Sequence, residues 1–409
     1  MSRWTRSSIP ILTGGLVFVL AFDSVLAQTK QNGPQIWRRT FEVVWTTVDE
    51  KSFDSHFGGV DWSAVRDRYA PQVSAVKSDR ELLDLLGRML KELRVSHLNL
   101  LELDALDKVL GRAVVNRGVA LRDIDGQVVI TRLVSGSSAD RAGLRTGFVV
   151  KAIDDAPVTT AHDAEATLAG DMTTHRLTIL DDADGMRNVM VEYQLPSADK
   201  LTAASIGPAK RYVLLESGRV ADGIGYIHFT NFTTPAAKKL TAVLESMKDA
   251  RALIIDLRGN SGGDTEAGLS LAGMLVEEET QLAIMRTRKG DDYFDKAKPK
   301  KNGYRGPVVI LLDEESASES EDIAAGLQEA GRVVVIGTRS RGANMDATLQ
   351  GLPMRNVGLQ YPTGYPRTPK GTIIEGHGVK PDVEVPLTRA ALLRGVDAQL
   401  DAAIAYIRK

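Results

Sequence analysis

Three patterns of hydrophobic and polar positions succeed one another along this 409-residue chain. Over 28–104 apolar positions recur every three or four residues, which predicts a small helical unit. Over 105–195 short apolar runs alternate with glycine turns, which predicts a domain of short strands. Over 196–409 strand-length apolar runs alternate with amphipathic stretches, which predicts an α/β core. Within this core Lys289–Gly306 is polar and lysine-rich, which predicts a flexible surface loop. We therefore expect a multidomain α/β protein.

The N-terminal helical unit is predicted to contain three helices. The first is expected over Gln35–Val48 and the second over Trp62–Tyr69. Ser78 and Glu81 have the spacing of a capping box, in which each side chain binds the other residue's backbone N–H. A broad apolar face behind this box predicts the third helix; it consists of Leu82, Leu85, Leu86, Met89, Leu90 and Leu93.

The first 27 residues have the pattern of a secretory signal peptide. Arg3 and Arg6 precede a mostly apolar run, Ile9–Phe22, and Val25–Ala27 offers small residues for cleavage. The apolar run is shorter than the ~20 residues that span a bilayer, and an uncleaved anchor is the alternative. We expect removal of 1–27, no stable membrane span afterwards, and a periplasmic or secreted bacterial protein.

Composition narrows the classes of function. The chain has no cysteine, which excludes disulfides, thiolate metal sites, a cysteine nucleophile and a lipidated cysteine. The formal net charge of −2 and the pI near 6.4 give no reason to expect a nucleic-acid partner. No motif calls for a cofactor or a metal ion, and the sequence makes no prediction of oligomeric state.

The core contains a strand–turn–helix pattern with a serine at the turn. Val308–Leu312 is a short β-branched run typical of a buried strand, and Asp322–Ala330 has helix-forming composition. Ser318 lies between them, where a hydroxyl is exposed and the helix N-terminus favours negative charge. This position suits a nucleophile for acyl transfer. The alternative is that Ser316, Ser318 and Ser320 are cap and turn residues.

Acyl transfer also needs hydrogen-bond donors for a developing oxyanion. The turn Gly262–Gly263 follows a predicted buried strand, Ala252–Leu257, and lets backbone N–H groups of Gly262 and Gly263 approach a carbonyl closely. The N–H of Glu319, directly after the serine, is the second candidate donor. A tight turn or a phosphate-binding loop is the alternative, although the spacing does not match a Walker motif.

Residues 137–155 read S-S-A-D-R-A-G-L-R-T-G-F-V-V-K-A-I-D-D, which resembles the core of a PDZ domain. Phe148 stands where bacterial PDZ domains usually carry aspartate. The resemblance implies a carboxylate-binding loop formed by Arg117, Gly118, Val119 and Ala120. Backbone N–H groups of such a loop bind a C-terminal carboxylate while the peptide adds as a strand. A module that serves only as a rigid spacer or gate is the alternative.

Four motifs of the core resemble those of the C-terminal-processing (tail-specific) serine peptidases, in the same order. They are I-D-L-R-G-N-S-G-G at 255–263, S-A-S-E-S-E at 316–321, G-T-R-S-R-G-A-N at 337–344 and G-H-G-V-K-P-D at 376–382. The resemblance implies an α/β peptidase core related to the ClpP and crotonase class, with Ser318 as nucleophile.

The third motif departs from the family at the general base. Serine–lysine members carry a lysine in G-x-x-x-x-G-K-G, and that position is Ala343 here. No lysine lies between Lys301 and Lys370, and Arg339 and Arg341 stay protonated, which makes them poor bases. Either the protein is inactive or it uses another base.

A second resemblance, to the tricorn-type branch of the superfamily, implies which base this is. Ser96-His97 follows an amphipathic helix, and Glu375 precedes G-H-G-V-K-P-D. The resemblance implies that His97 is the base, that Ser96 orients its imidazole and that Glu375 holds Ser96. A neutral histidine suits general-base work near neutral pH. His377 is the rival base.

The sequence therefore predicts an exported serine endopeptidase that cleaves peptides or unfolded protein chains through an acyl-enzyme. Its partners would be peptide substrates, including C-terminal tails bound by the PDZ-like domain. The alternative is a catalytically inactive pseudo-peptidase that acts as a peptide-binding scaffold. Hydrolysis of a non-peptide ester or amide is also open.

Overall fold

The computed structural model describes residues 33–102, 118–169, 173–192, 201–206 and 209–409. The α-helices are α1 (Gly33–Lys51), α2 (Trp62–Val73), α3 (Asp79–Lys91), α4 (Ser138–Arg141), α5 (Ala161–Ala169), α6 (Thr234–Ser246), α7 (Thr265–Gly273), α8 (Glu319–Glu329), α9 (Arg389–Leu393) and α10 (Ala398–Arg408). Within these ranges no helix is long and apolar enough to cross a bilayer.

The strands form three sheets. They are β1 (Asn99–Glu102), β2 (Val119–Ile124), β3 (Gln127–Leu133), β4 (Val149–Ile153), β5 (Ala156–Pro157), β6 (His175–Leu180), β7 (Met186–Val191), β8 (Leu201–Ile206), β9 (Ala209–Arg219), β10 (Gly225–Phe229), β11 (Leu253–Asp256), β12 (Thr280–Thr287), β13 (Asp292–Ala297), β14 (Val308–Leu312), β15 (Val334–Gly337), β16 (Asp346–Gly351), β17 (Val357–Arg367) and β18 (Val383–Glu384).

The N-terminal helices α1, α2 and α3 pack their apolar faces together, as their periodicity predicts. Ser78 caps α3 by accepting a hydrogen bond from the Glu81 N–H at 3.2 Å. The Glu81 carboxylate binds the N–H of Lys77 at 2.9 Å instead of the N–H of Ser78. The cap is therefore one residue wider than the predicted capping box. All five leucine and methionine side chains that α3 turns inward are buried.

The second sheet is antiparallel and has the order β2-β3-β4-β6-β7, with β5 beside β4. Its core contains Leu121, Ile130, Leu144 and Leu177, all buried. The helix α5 packs against β2, and Glu165 on that helix accepts a hydrogen bond from the Leu121 N–H at 2.7 Å. The edge of β2 is thus partly covered by a carboxylate from its own domain.

The core sheet has the order β18-β15-β14-β11-β10-β9-β8, and β10, β11, β14, β15 and β18 are parallel. Alternate residues of β14 face opposite sides, because side chains in a strand alternate with period two. Ile310 and Leu312 join the cluster under α6, α7 and α8, whereas Val309 and Leu311 face α10. Strands buried on both faces explain why these runs are continuously apolar.

The expectation of a flexible surface loop over Lys289–Gly306 is wrong. This segment contains β13, which pairs antiparallel with β12 and carries the buried residues Asp295 and Ala297. Tyr304 is also buried, and its hydroxyl donates to the Ala250 carbonyl at 3.0 Å. The alternation of β13 is hidden in the sequence because the inward residue 295 is an aspartate, whereas the outward residue 294 is a phenylalanine that is 51% exposed.

The third sheet, β1-β17-β12-β13 with β16 beside β17, joins the helical unit to the core. Asn99 of β1 pairs with Gln360 of β17, and the strands are antiparallel. Leu359 and Tyr361 of β17 belong to the apolar cluster of α1, α2 and α3. Because β1 pairs with β17, the segment 92–98 between α3 and β1 lies at the edge of the core.

Candidate active site

Ser318 lies at the end of the loop that follows β14, at the first turn of α8. Its backbone has φ 56° and ψ −125°, a strained conformation for a residue with a Cβ. The Ser318 N–H donates to the Ala343 carbonyl at 2.9 Å and to the Glu321 carboxylate at 3.1 Å. Two neighbouring serines are structural: the hydroxyls of Ser316 and Ser320 are buried and donate to the carbonyls of Leu257 and Asn260. The sharp turn therefore leaves Ser318 half-buried.

The glycine turn after β11 lies directly against Ser318. A Cβ on Gly262 would come within 2.6 Å of the Ser318 Cβ, and one on Gly263 within 2.0 Å of the Phe232 carbonyl oxygen. The Gly262 N–H donates to Asn260 Oδ1 at 2.9 Å, which removes it from the predicted set of oxyanion donors. The N–H groups of Gly263 and Glu319 bind no other described residue, and both residues line the cavity that contains Ser318.

His97 lies in the turn between α3 and β1 and has a φ of 57°. Its Nδ1 is 2.8 Å from Ser96 Oγ, and Ser96 Oγ donates to Glu375 Oε2 at 2.9 Å. Glu375 Oε1 accepts from the Ser96 N–H at 2.8 Å, and Oε2 also accepts from the Asn344 N–H at 3.0 Å. Glu375 thus fixes both the backbone and the hydroxyl of Ser96 behind the imidazole.

These contacts decide the tautomer of a neutral His97. The Ser96 hydroxyl has a single hydrogen, which it donates to Glu375 Oε2, so on its other side Ser96 Oγ can only accept. Ser96 Oγ then accepts from the Nδ1–H of His97, and the unprotonated nitrogen is Nε2. The chain of donors therefore leaves the basic nitrogen on the far side of the ring from Ser96.

His97 and Ser318 line the same cavity of about 240 Å³, together with Gly263 and Glu319. Burial lowers the pKa of His97 below its usual 6.5, although the carboxylates of Glu375 and Asp346 act in the opposite direction. His97 is consequently neutral at neutral pH. The helical unit contributes His97 to this cavity and the core contributes Ser318, although the two residues are far apart in the sequence.

Ala343 occupies the position where a lysine would be expected, and it is held by Glu321. The Glu321 carboxylate accepts from the N–H groups of Gly342 and Ala343 at 2.7 and 2.9 Å, and from the hydroxyl of Ser340 at 2.5 Å. This buried carboxylate therefore ties the 340–343 turn to the nucleophile turn. Sequence reasoning missed the role of Glu321, although its place three residues after Ser318 is a capping-box signal.

His377, the rival base, lies apart from the cavity. Its ring is exposed, and Nδ1 is 2.9 Å from the carbonyl oxygen of Glu375. His228 is buried near Asp256, and burial lowers its pKa to about 3. Neither histidine lines the cavity of Ser318.

The predicted carboxylate-binding loop lies at a second cavity of about 260 Å³. Gly118, Val119 and Ala120 line it, whereas Arg117 lies outside the described residues. Ser261 lines both this cavity and the cavity of Ser318. The two cavities therefore have Ser261 in common.

An ion pair that sequence reasoning missed crosses between β2 and the nucleophile loop. Buried Arg122 donates to Asp313 Oδ2 at 2.7 Å, and Asp313 Oδ1 accepts from the Gly259 N–H at 2.9 Å. Arg122 also lies 3.4 Å from Glu165 of α5. Asp313 thus links β2 to the loop that leads to Ser318 and to the glycine turn that begins at Gly259.

Comparisons with known proteins agree with this architecture. A model of peptidase family S41 matches residues 223–385, and a model of the tricorn protease C1 domain matches residues 34–91. A carboxyl-terminal-processing protease from Synechocystis is 25% identical over 421 residues, covering 98% of this chain and 92% of the relative. Tricorn protease homolog 1 from Streptomyces coelicolor is 28% identical over 395 residues, covering 90% of this chain. The chain spans only 35% of that longer protein.

Solved structures show the same fold. The photosystem II D1 C-terminal processing protease superposes with a TM-score of 0.59 at 22% identity, covering 89% of this chain and 98% of that one. Tricorn protease superposes with a TM-score of 0.55 at 17% identity, covering 92% of this chain and 37% of that one.

The fold and these matches define a serine peptidase, a hydrolase of peptide bonds. Within that class, residues 223–385 form a peptidase family S41 domain, and a tricorn protease C1 domain lies ahead of it at residues 34–91.

Proposed function

We propose that the protein is an exported serine endopeptidase that cleaves peptides or unfolded protein chains, with Ser318 as nucleophile and His97 as general base. The observation that carries the proposal is the hydrogen-bonded row Glu375–Ser96–His97, which ends at the cavity of Ser318. This arrangement supplies a base without the lysine that Ala343 replaces.

The proposed reaction begins when His97 Nε2 takes the proton of the Ser318 hydroxyl. Ser318 Oγ attacks the substrate carbonyl, and the oxyanion accepts hydrogen bonds from the N–H groups of Gly263 and Glu319. The resulting imidazolium is stabilised by the acceptor Ser96 Oγ and gives its proton to the departing amine. Water, deprotonated by His97, then attacks the acyl-enzyme and releases the carboxylic acid product.

We also propose that the chain is divided into a leader (1–27), a helical domain (28–104), a PDZ-like domain (105–195) and a peptidase core (196–409). The antiparallel sheet, with α5 along β2, supports the PDZ-like assignment. A substrate carboxylate at the loop 117–120 would lie in a cavity that Ser261 also lines, and Ser261 lines the cavity of Ser318 as well. C-terminal tails would then enter the active site from this side, and Glu165 would have to leave the β2 edge for a tail to pair there.

The leader supports export, because 1–27 combines two arginines, an apolar run and small residues at its end. Cleavage would release the mature protein into the periplasm or the medium of a bacterium. Mass spectrometry of the N-terminus of the exported protein tests this: an intact leader would favour the anchor instead.

Active-site labelling tests the catalytic assignment. A fluorophosphonate probe is expected to label the purified protein on Ser318 near neutral pH, and Ser318→Ala is expected to abolish labelling. His97→Ala is expected to reduce peptide cleavage about 10⁴-fold or more, as for other members of a catalytic unit. The matched control, His377→Ala, removes an exposed imidazole and is expected to leave cleavage unchanged. Absence of labelling of the folded wild type would refute the peptidase proposal, and full activity of His97→Ala would refute the base.

A further inference from the structure

Asp346 lies at the cavity that contains His97 and Ser318, at the start of β16. The pairing of β16 with β17 is irregular between Asp346 and Ala347. Neighbouring side chains of a regular strand face opposite sides, whereas a bulge changes the direction of the strand locally. Asp346 and Ala347 both line the cavity. The irregularity thus allows a half-buried acid to share the cavity of the proposed catalytic residues.

Two strands hold the Asp346 carboxylate in place. The hydroxyl of Tyr293 on β13 donates to Oδ2 at 3.0 Å, and the hydroxyl of Thr363 on β17 lies 3.3 Å from the same oxygen. Opposite Asp346 in the ladder is Gly364, where a Cβ would come within 3.3 Å of Oδ2. A larger residue at this position would crowd the carboxylate. The carboxylate therefore has donors and a defined position.

Asp346 carries the negative charge of this region. Burial raises its pKa, whereas hydrogen bonds from Tyr293 and Thr363 and the charge of a protonated His97 lower it. Burial also raises the pKa of three nearby carboxyl groups, and the negative charge of Asp346 raises it further; they are those of Asp295, Glu319 and Asp322. Like charges that share a site do not all ionise. One ionised carboxylate among neutral ones is the expected state.

His97 faces this charge. Burial lowers the pKa of His97, and the charges of Glu375 and Asp346 act in the opposite direction. Among the described residues that line the cavity, none is a lysine or an arginine. The remaining acid of the lining, Asp264, accepts a hydrogen bond from the Thr234 N–H at 3.1 Å. A protonated His97 is therefore the cation that this cavity offers to Asp346.

We propose that Asp346 is a positioning residue whose charge stabilises the imidazolium formed when His97 takes the Ser318 proton, an assignment that rests on the proposed base. The carboxylate interacts weakly with the neutral imidazole of the resting enzyme and attracts the imidazolium. The attraction is consequently stronger in the transition state than in the ground state, which raises kcat rather than substrate affinity. Asp346 keeps its charge throughout and takes no proton.

Neutral substitutions of Asp346 test the proposal in steady-state cleavage of a fluorogenic peptide across pH. In Asp346→Asn, kcat is expected to fall about 3- to 10-fold at unchanged KM, and the acid limb to move about 0.5–1 pH unit lower, since one unit corresponds to tenfold. Asp346→Ser is the second neutral variant, should the asparagine variant fail to fold. Asp346→Glu keeps the charge and is expected to retain the wild-type midpoint.

Asp292→Asn is the matched control, because Asp292 is an exposed acid of the same sheet that does not line the cavity. It is expected to leave kcat and the acid limb unchanged, which separates a local charge effect from the general loss of one charge. A structural role of Asp346 would lower the melting temperature without moving the midpoint.

Two kinds of result would overturn the inference in distinguishable ways. A folded neutral variant whose acid limb coincides with that of the wild type would refute the action of Asp346 on His97 and leave the peptidase and its base intact. A higher KM at unchanged kcat would do the same, because it would place Asp346 against the substrate. Full activity of His97→Ala would refute the base, and this inference with it.

Discussion

Replacing Ser96 by alanine is expected to slow the reaction without dismantling the site. The change removes the Oγ that lies 2.8 Å from His97 Nδ1 and 2.9 Å from Glu375 Oε2. The Ser96 N–H still binds Glu375 Oε1 at 2.8 Å, and the Asn344 N–H still binds Oε2 at 3.0 Å. The loop therefore stays attached to the core, and only the acceptor behind the imidazole is lost.

The magnitude follows from the bond that the transition state loses. A hydrogen bond to a charged group contributes about 1.5–3 kcal/mol, and the imidazole of His97 is charged only after it has taken the proton. Since about 1.4 kcal/mol corresponds to tenfold in rate, kcat/KM is expected to fall about 10- to 150-fold. The loss of the acceptor also destabilises the imidazolium, so the acid limb of the pH profile should move to lower pH.

The assay is steady-state cleavage of a fluorogenic peptide across pH, with thermal unfolding measured alongside. Ser96→Thr keeps the hydroxyl and is expected to recover most of the activity. An unchanged kcat/KM in folded Ser96→Ala would show that His97 needs no acceptor behind it. Loss as complete as in Ser318→Ala would equally contradict the reasoning, because a positioning residue leaves the nucleophile and base in place.

Three further predictions concern pH and backbone. Burial lowers the pKa of His97, and only a neutral imidazole accepts a proton. The acid limb of the pH profile of kcat/KM should therefore have its midpoint below pH 6.5. A midpoint above pH 6.5 would contradict the assignment of His97 as the base. Burial raises the pKa of Asp295 to about 7, so the folded state binds the proton more tightly and loses stability as pH rises towards 7. Asp295→Asn should therefore gain about 3 kcal/mol relative to wild type between pH 5 and pH 8 in denaturant melts, whereas a constant difference would refute the shift. Gly262→Ala should slow fluorophosphonate labelling of Ser318 at least 100-fold, because the new Cβ would lie 2.6 Å from the Ser318 Cβ. The control is Gly395→Ala: Gly395 has a φ of 72° but open space around it, so this change should lower only the melting temperature.

The strand and helix around Ser318 can be predicted from the sequence because their signals are local. The predicted strand Val308–Leu312 is observed with the same bounds. The predicted helix start at Asp322 is three residues late, because the Glu321 carboxylate binds the Ser318 N–H and allows the helix to begin at Glu319. Short-range capping and burial patterns are sufficient for such elements.

The proposed base is not predictable from local pattern. Only the resemblance assigns this role to His97, since nothing in the neighbouring residues indicates that β1 pairs with β17. The burial of Glu319 and Asp322 is also invisible in the sequence, because the two residues have the spacing of an ordinary charged helix start. Their burial depends on the bare backbone at Gly268 and on β13, within a segment whose polar composition indicates a loop.

The four-residue strand β1 has a consequence for the timing of activity. Asn99 pairs with Gln360, 261 positions later in the chain, and contacts so distant in sequence form late in folding. Until they form, the proposed base does not face Ser318. If His97 is the base, a newly made chain is expected to stay inactive until β1 has paired with β17, and proteolysis would begin only then.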